Sequence, residues 1–190
     1  MTDRGPRVVG ISGSLRRDSH NTRLLRAAAE LLPPGAELEL LGIGDLPVYD
    51  EDLDTDPAPP AVQRFRDAIA SADAIVISTP EYNASIPGGL KNAIDWASRP
   101  FDENPFRGKP ALVIGASTGL FGAVWAQAEV RKVLDHVGAK VLDSEFPVGQ
   151  AHEAFSDAEL SEQTAADELE RQLAVLVALA RDLAAEAVPA

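Results

Sequence analysis

The 190-residue chain contains no cysteine. Disulfides, thiol nucleophiles and cysteine-ligated metals or clusters are thereby excluded. Histidine is scarce too: His20, His136 and His152 are scattered, with no His-x-x-x-His or carboxylate-paired spacing, so no metal site is expected. Basic residues are outnumbered, 17 Lys and Arg against 30 Asp and Glu, which gives a net charge of −13. A field of that sign repels nucleic acid and anionic membranes, and neither is expected as a partner. No stretch reaches membrane-spanning length without charge, and the N-terminus lacks the long apolar segment of a signal peptide. A cytoplasmic protein is expected. Missing also are the Gly-x-Gly-x-x-Gly fingerprint and a Gly-Lys-Ser/Thr phosphate loop, which disfavours a dinucleotide fold or a nucleotide triphosphatase.

What is present is the composition of an ordinary globular protein, 45% hydrophobic and 25% charged, at a length that suits one domain over residues 1–190. Val8 to Ile11 is an apolar run that stops at a small, hydroxyl-rich loop carrying two arginines and leads into an apolar-periodic segment, Thr22 to Leu32. This is a strand, a loop and a helix, ended by Pro33-Pro34-Gly35. Glu37 to Leu41 alternates as an edge strand. Residues 42–60 lose all pattern and concentrate acid at Asp50, Glu51, Asp52, Asp54 and Asp56, read as a solvated loop because the Gly and distal Glu of a calcium loop are absent. Leu46 to Tyr49 would pack over a site or a subunit contact.

A helix over Val62 to Ser71 precedes a β-branched run, Ala74 to Ser78, as a central parallel strand requires. The loop that follows is rich in turn residues and presents Tyr82, with a helix beginning near Pro87. Lys109 to Gly115 is another buried strand, followed by a glycine- and hydroxyl-rich loop. Ala123 to His136 is helical, with His136 capping its C-terminus. Lys140 to Phe146 reads as a more polar edge strand, and Asp157 to Ala187 as a helical region with an apolar stripe. Strands alternating with helices predict a flavodoxin-like three-layer α/β sandwich with a five-stranded parallel sheet of order 2-1-3-4-5.

In such sheets ligands bind at the carboxyl ends of the strands, near the reversal of strand order. Three loops fall there. The first offers hydroxyls at Ser12, Ser14, Ser19 and Thr22, the Asn21 amide, the Arg16 guanidinium and the free N–H groups of a helix start, all suited to a phosphate monoester. By itself it also fits an ordinary capped turn with Ser19 as N-cap. The second and third loops add an aromatic ring, backbone amides and hydroxyls around a flat cavity. A planar, heteroaromatic ligand with one phosphate fits the set, and FMN answers that description.

At Gly13-Ser14-Leu15-Arg16 with Ser19 and Asn21, at Pro80-Glu81-Tyr82-Asn83 with Pro87-Gly88 and Leu90 to Trp96, and at Ser117-Thr118-Gly119, the sequence resembles the NADPH-dependent FMN reductase family. The resemblance covers Val8 to about Val141. It implies that Ser12, Ser14, Arg16, Ser19, Asn21 and Thr22 hold the FMN phosphate, that Pro80, Glu81, Tyr82 and Asn83 border the isoalloxazine, and that Ser117, Thr118 and Gly119 line its other side. It also implies NADPH or NADH as co-substrate, a homodimer or homotetramer with the Lys91–Trp96 helix near the subunit contact, and no role for His20. Hydride would pass from the nicotinamide to flavin N5 and on to a quinone, free flavin, azo compound or chromate in ping-pong fashion, with no catalytic side chain. Arg16, Arg17 and Arg99 are candidates for the extra phosphate of NADPH. Two other readings stay open here: a flavodoxin-like carrier docking to protein partners, which the acidity fits, and a flavin-bound regulatory protein.

Overall fold

The apolar runs of the sequence become the centre of the sheet. In the computed structural model, which describes residues 5–156 and 159–186, strands β1 (Arg7–Ser12), β3 (Ala74–Thr79) and β4 (Pro110–Ala116) lie side by side, the latter two buried along their whole length. β2 (Glu37–Leu41) pairs with β1 at the edge, where its alternating pattern leaves one face half exposed. With β5 (Lys140–Val141) the parallel order is β2-β1-β3-β4-β5, as expected from the sequence.

Successive strand residues point to opposite faces and fill two separate cores. On one side Val8, Val76, Leu112 and Ile114 meet Leu24, Leu25 and Ala28 of α1 (His20–Glu30) and Leu169, Leu173, Leu176 and Val177 of α5 (Gln163–Glu186). On the other, Val9, Ile11, Ile75, Ile77 and Val113 meet α2 (Pro60–Ser71), α3 (Gly88–Ala97) and α4 (Val124–His136) through Phe65, Ile69, Leu90, Ile94, Val130 and Leu134. Three layers result. The helices after β1 and β3 leave toward opposite faces, so a crevice opens between the carboxyl ends of these two strands. No helix among the described residues is long and apolar enough to cross a membrane.

Three expectations need correction. The strand over Lys140–Phe146 is broken: β5 ends at Val141, and β6 (Pro147–Val148) resumes pairing with Gly115 and Ala116 of β4. Asp143 and Glu145 turn outward, and the buried Gln127 of α4 fills the gap, its Oε1 accepting from Phe146 N (3.1 Å) and its Nε2 donating to Gly122 O (2.9 Å). The helix expected from Asp157 starts at Gln163. Ahead of it stands a hairpin of β7 (Phe155–Ser156) and β8 (Glu159–Leu160), because Phe155 and Leu160 pack sideways onto the α1 side of the core. Asp157 and Ala158 lie outside the described residues.

The acidic loop, thirdly, is only partly solvated. Asp50 caps a 3-10 turn, Glu51–Leu53, and Asp54 binds Arg66 at 2.9 Å with both side chains largely covered. Arg66 in turn donates Nε to Trp96 O, and the segment before it docks on α3. Pro47 O accepts from Asn92 Nδ2 (2.9 Å) and from Trp96 Nε1 (2.7 Å), while Tyr49 N donates to Asn92 Oδ1. Leu46–Tyr49 therefore covers the fully buried Trp96 and not the site.

Candidate functional site

The cleft at the sheet edge is built from the first loop upward. Gly13 N donates to Ser78 O at 2.8 Å, carrying the chain from β1 directly over the end of β3. A side chain at Gly13 would meet Leu90 at 2.9 Å, so glycine permits this close approach. Ser19 caps α1, its Oγ accepting from Asn21 N (3.2 Å) and Thr22 N (3.3 Å), and Ser12 and Thr22 join hydroxyls at 2.9 Å. Arg16 is turned back by a bond from Nη2 to Asp18 O (2.7 Å). The N–H groups of Leu15, Arg17, Asp18, Ser19 and His20 donate to nothing among the described residues. Unpaired donors at a helix N-terminus beside a guanidinium form a cradle for an anion.

Asn21 lines the cleft and is also tied into the sheet. It is buried, and its carboxamide joins the ends of β3 and β4: Nδ2 donates to Ala116 O (2.9 Å), and Oδ1 accepts from Ala116 N (3.0 Å) and Ser78 Oγ (2.8 Å). With its backbone N–H also taken by Ser19, Asn21 positions the cleft, and most of its capacity to bind a ligand is used.

The second loop is a tight turn. Tyr82 and Ser85 exchange both backbone hydrogen bonds (3.2 and 3.1 Å) around Asn83 and Ala84, which have φ of 54° and 57°. Two left-handed central residues make a type I′ turn, comfortable for Asn and strained for Ala. Two carboxylates clamp it to α4. Glu81 Oε2 accepts from Trp125 N and Ala126 N, both 3.1 Å, at the start of the helix. Glu129, a turn further on, accepts from Ser85 Oγ (2.6 Å) and Ile86 N (3.2 Å). The Ser85 hydroxyl first, and the Ile86 N–H second, hold the Glu129 carboxyl below the ordinary carboxylate range. Tyr82 itself is 60% exposed.

The third loop is anchored by Ser117 N to Val148 O (3.0 Å) and Ala151 N to Ser117 O (3.0 Å). Gly122, at φ +57°, sits so close to Pro147 that a Cβ would lie 2.6 Å from its carbonyl carbon.

Ser14, Arg16, Ser19 and Asn21 from the first loop, Pro80, Glu81 and Tyr82 from the second, and Ala116, Ser117 and Thr118 from the third line one cleft of about 170 Å³. Of the residues expected at the site, Ser12, Thr22, Asn83 and Gly119 stand behind this lining. Ser12 and Thr22 brace the first loop, Asn83 shapes the turn, and Gly119 O accepts from Gln150 N. Arg99 lines two other hollows and not the cleft. Hollows of about 650 and 690 Å³ lie over the acidic loop and between α3 and α4, and neither is lined by residues of the three loops at the carboxyl ends of β1, β3 and β4.

Sequence reasoning missed His20, which lines the cleft, and the exposed pair Phe121 and Trp125, edge to face at 5.2 Å beside Glu81. An aromatic residue in a glycine-rich loop was the available signal for Phe121. Glu129 carried none, being one acidic residue on an exposed helical face.

The comparisons with known proteins point the same way. The chain is 46% identical over 172 residues to an NAD(P)H-dependent FMN reductase of Pseudomonas aeruginosa, covering 90% of this chain and 92% of that one. It is 46% identical over 137 residues to a 2-hydroxy-1,4-benzoquinone reductase of a Burkholderia species, covering 72% and 74%. Among solved structures, the flavoenzyme NAD(P)H:(acceptor) oxidoreductase FerB of Paracoccus denitrificans superposes with a TM-score of 0.84 at 39% identity, over 93% of this chain and 98% of that one. The profile of the NADPH-dependent FMN reductase family matches residues 6–153. The chain belongs to the NADPH-dependent FMN reductase family.

Proposed function

We propose that the protein is an NAD(P)H-dependent reductase that holds FMN in the cleft and passes its electrons to a small planar acceptor of the quinone class. The observation that carries this reading is the convergence of three loops on one cleft, with unpaired N–H groups and Arg16 at one end and open, partly aromatic walls at the other. The donor set fits the group. The Arg16 guanidinium and the free amides of Leu15, Arg17, Asp18, Ser19 and His20 would take the phosphate, a local positive site in a chain of net charge −13. Pro80, Glu81, Tyr82 and Asn83 would border the ring on one side and Ser117, Thr118 and Gly119 on the other. When bound, FMN supplies the redox chemistry, accepting a hydride from the nicotinamide and returning two electrons to the acceptor.

The chain's own part is to bind and to expose. A cleft of about 170 Å³ is below the roughly 300–1,000 Å³ that encloses a small ligand, so a ring seated there keeps one face open. Donor and acceptor can then occupy that face in turn, which is a ping-pong order. Tyr82 on the cleft wall offers that face an exposed aromatic ring. No side chain need act as acid or base. A homodimer or homotetramer is supported by the groove between α3 and α4, where Lys91, Asp95, Lys132 and Asp135 alternate in sign around the exposed Phe101, a pattern that a second copy can complement.

The test is the visible spectrum of the purified protein before and after anaerobic NADPH, followed by steady turnover with a quinone. Flavin absorbance that NADPH bleaches and quinone restores is the expected result. Protein that neither carries nor takes up FMN would overturn the reading. Steady turnover in the absence of any other protein separates a reductase from a one-electron carrier, which the enzyme relatives also disfavour.

A further inference from the structure

His20 is the first residue of α1 and lines the cleft beside Arg16 and Asn21. Its ring lies almost parallel to that of Phe155 in the β7–β8 hairpin, with centroids 6.3 Å apart and planes at 13°. Nδ1 is buried and has no hydrogen-bond partner among the described residues. The charges acting on the ring are all basic: Arg16 from the first loop, Arg23 on α1, and His152 from the segment before the hairpin. The nearby acids are engaged or solvated. Glu153 lies 3.3 Å from His152, Glu81 caps α4, and Asp18 and Glu159, the latter on β8 against α1, are exposed. α5 meets α1 through apolar residues. Burial first, and the positive neighbours second, hold the imidazole below its ordinary range, which favours its uncharged form.

A phosphate reverses that field. Building on the reading of the cradle as an FMN phosphate site, we propose that His20 couples FMN binding to proton uptake: neutral in the free protein, it becomes an imidazolium when the phosphate sits beside Arg16. The proton comes from solvent onto a ring nitrogen, and no other bond changes. A phosphate monoester carries about −1.5 to −2 at pH 7, more than Arg16 alone balances. The ring's proton supplies the second positive charge, and burial strengthens it by keeping water away from one nitrogen. The linkage has a definite sign. Binding that raises the affinity for a proton is strongest at low pH, weakens as pH rises through the interval between the free and bound values, and gains nothing above it.

The test measures FMN and riboflavin affinity by flavin fluorescence quenching on flavin-free protein across pH, for wild type, His20→Phe, which keeps the stack on Phe155, and His20→Gln. For FMN the ratio of variant to wild-type Kd is expected to rise from about 1 near pH 8.5 to about 5–10 near pH 6.5, while for riboflavin it stays flat. Calorimetric titration with FMN in buffers of different ionisation enthalpy, at about pH 7, shows proton uptake in wild type that the variants lack. This wild-type proton count stands even if one variant fails to fold. A flat ratio for FMN, or equal proton uptake in wild type and variants, overturns the proposal. FMN binding no tighter than riboflavin overturns the phosphate reading of the cradle instead.

Discussion

The loop after β1 and the loop after β3 deliver residues to the same cleft, but they are held by different kinds of contact. In the first, most bonds join residues two to ten positions apart: Ser19 to Asn21 and Thr22, Ser14 to Arg16, Arg16 to Asp18, Ser12 to Thr22. In the second, the turn's own pair of backbone bonds is supplemented by two carboxylate clamps that span 43 to 45 positions, Glu81 onto α4 and Glu129 back from α4. A local cradle forms wherever its strand and helix meet. A clamped turn depends on where a distant helix happens to lie, and so inherits every movement of that helix.

Among the side chains of the first loop Asn21 is the exception, because its carboxamide reaches 57 positions to Ser78 and 95 to Ala116. It therefore offers the sharpest way to break the comparison. Asn21→Ala leaves the N–H and C=O of Ala116 and the Ser78 hydroxyl without partners in a buried place, and should cost about 2–4 kcal/mol of stability. A melting temperature lower by about 5–12 °C is expected for a chain of this size. A loss below about 1 kcal/mol would show that water or rearranged backbone replaces the bridge, and that the ends of β3 and β4 are not tied through this side chain.

The same contrast decides what was legible in the sequence. Sheet order, the two-faced core and the Ser19 cap follow from patterns within about twenty residues: apolar runs, helical periodicity, a hydroxyl before a helix. The cradle was legible for the same reason. The broken strand at Asp143–Glu145 and the hairpin before α5 were not, since both are set by tertiary partners that no periodic pattern marks, Gln127 on the neighbouring helix in one and the α1 side of the core in the other. Asn21 shows the cost of reading a polar side chain only against its sequence neighbours. Its amide suits a phosphate in isolation, and only the packed sheet edge offers it three better-placed buried partners.

Arg16 tests the cradle directly and ranks next in expected effect. Its guanidinium is exposed, bonded only to Asp18 O among the described residues, and free to turn toward an anion. Arg16→Ala should weaken FMN binding by about 1.5–3 kcal/mol, roughly 10- to 150-fold, the range of a charge-assisted hydrogen bond, and should leave the melting temperature of the flavin-free protein almost unchanged. Fluorescence titration with FMN measures the first and thermal denaturation the second. Equal affinity for FMN in variant and wild type would place the phosphate elsewhere.

Glu129 tests the clamp, with the smallest expected effect on stability because the residue is fully solvated. Its carboxyl titrates below the ordinary Glu value of about 4.3, since the Ser85 hydroxyl and the Ile86 N–H bind the charged form. A depressed folded-state value means that the clamp contributes fully above the unfolded-state value and is lost as pH falls through the lower, folded one. Although the clamp is fully formed at neutral pH, it is exposed to solvent, and Glu129→Gln should change the global melting temperature very little there. Hydrogen exchange should quicken selectively at the Ile86 amide, with Tyr82 and Ser85 following as the turn loosens and Asn21 and Thr22 unaffected. Because Ala84 holds a strained φ of 57°, a turn released from α4 has reason to relax. Lowering wild type from neutral pH toward pH 3 should reproduce the loosening gradually, and the variant should show no such pH dependence at Ile86 once exchange is corrected for its intrinsic rate. Matching exchange at Ile86 in wild type and variant would mean that the turn's own backbone pair suffices, and that the two loops differ less in kind than their contacts indicate.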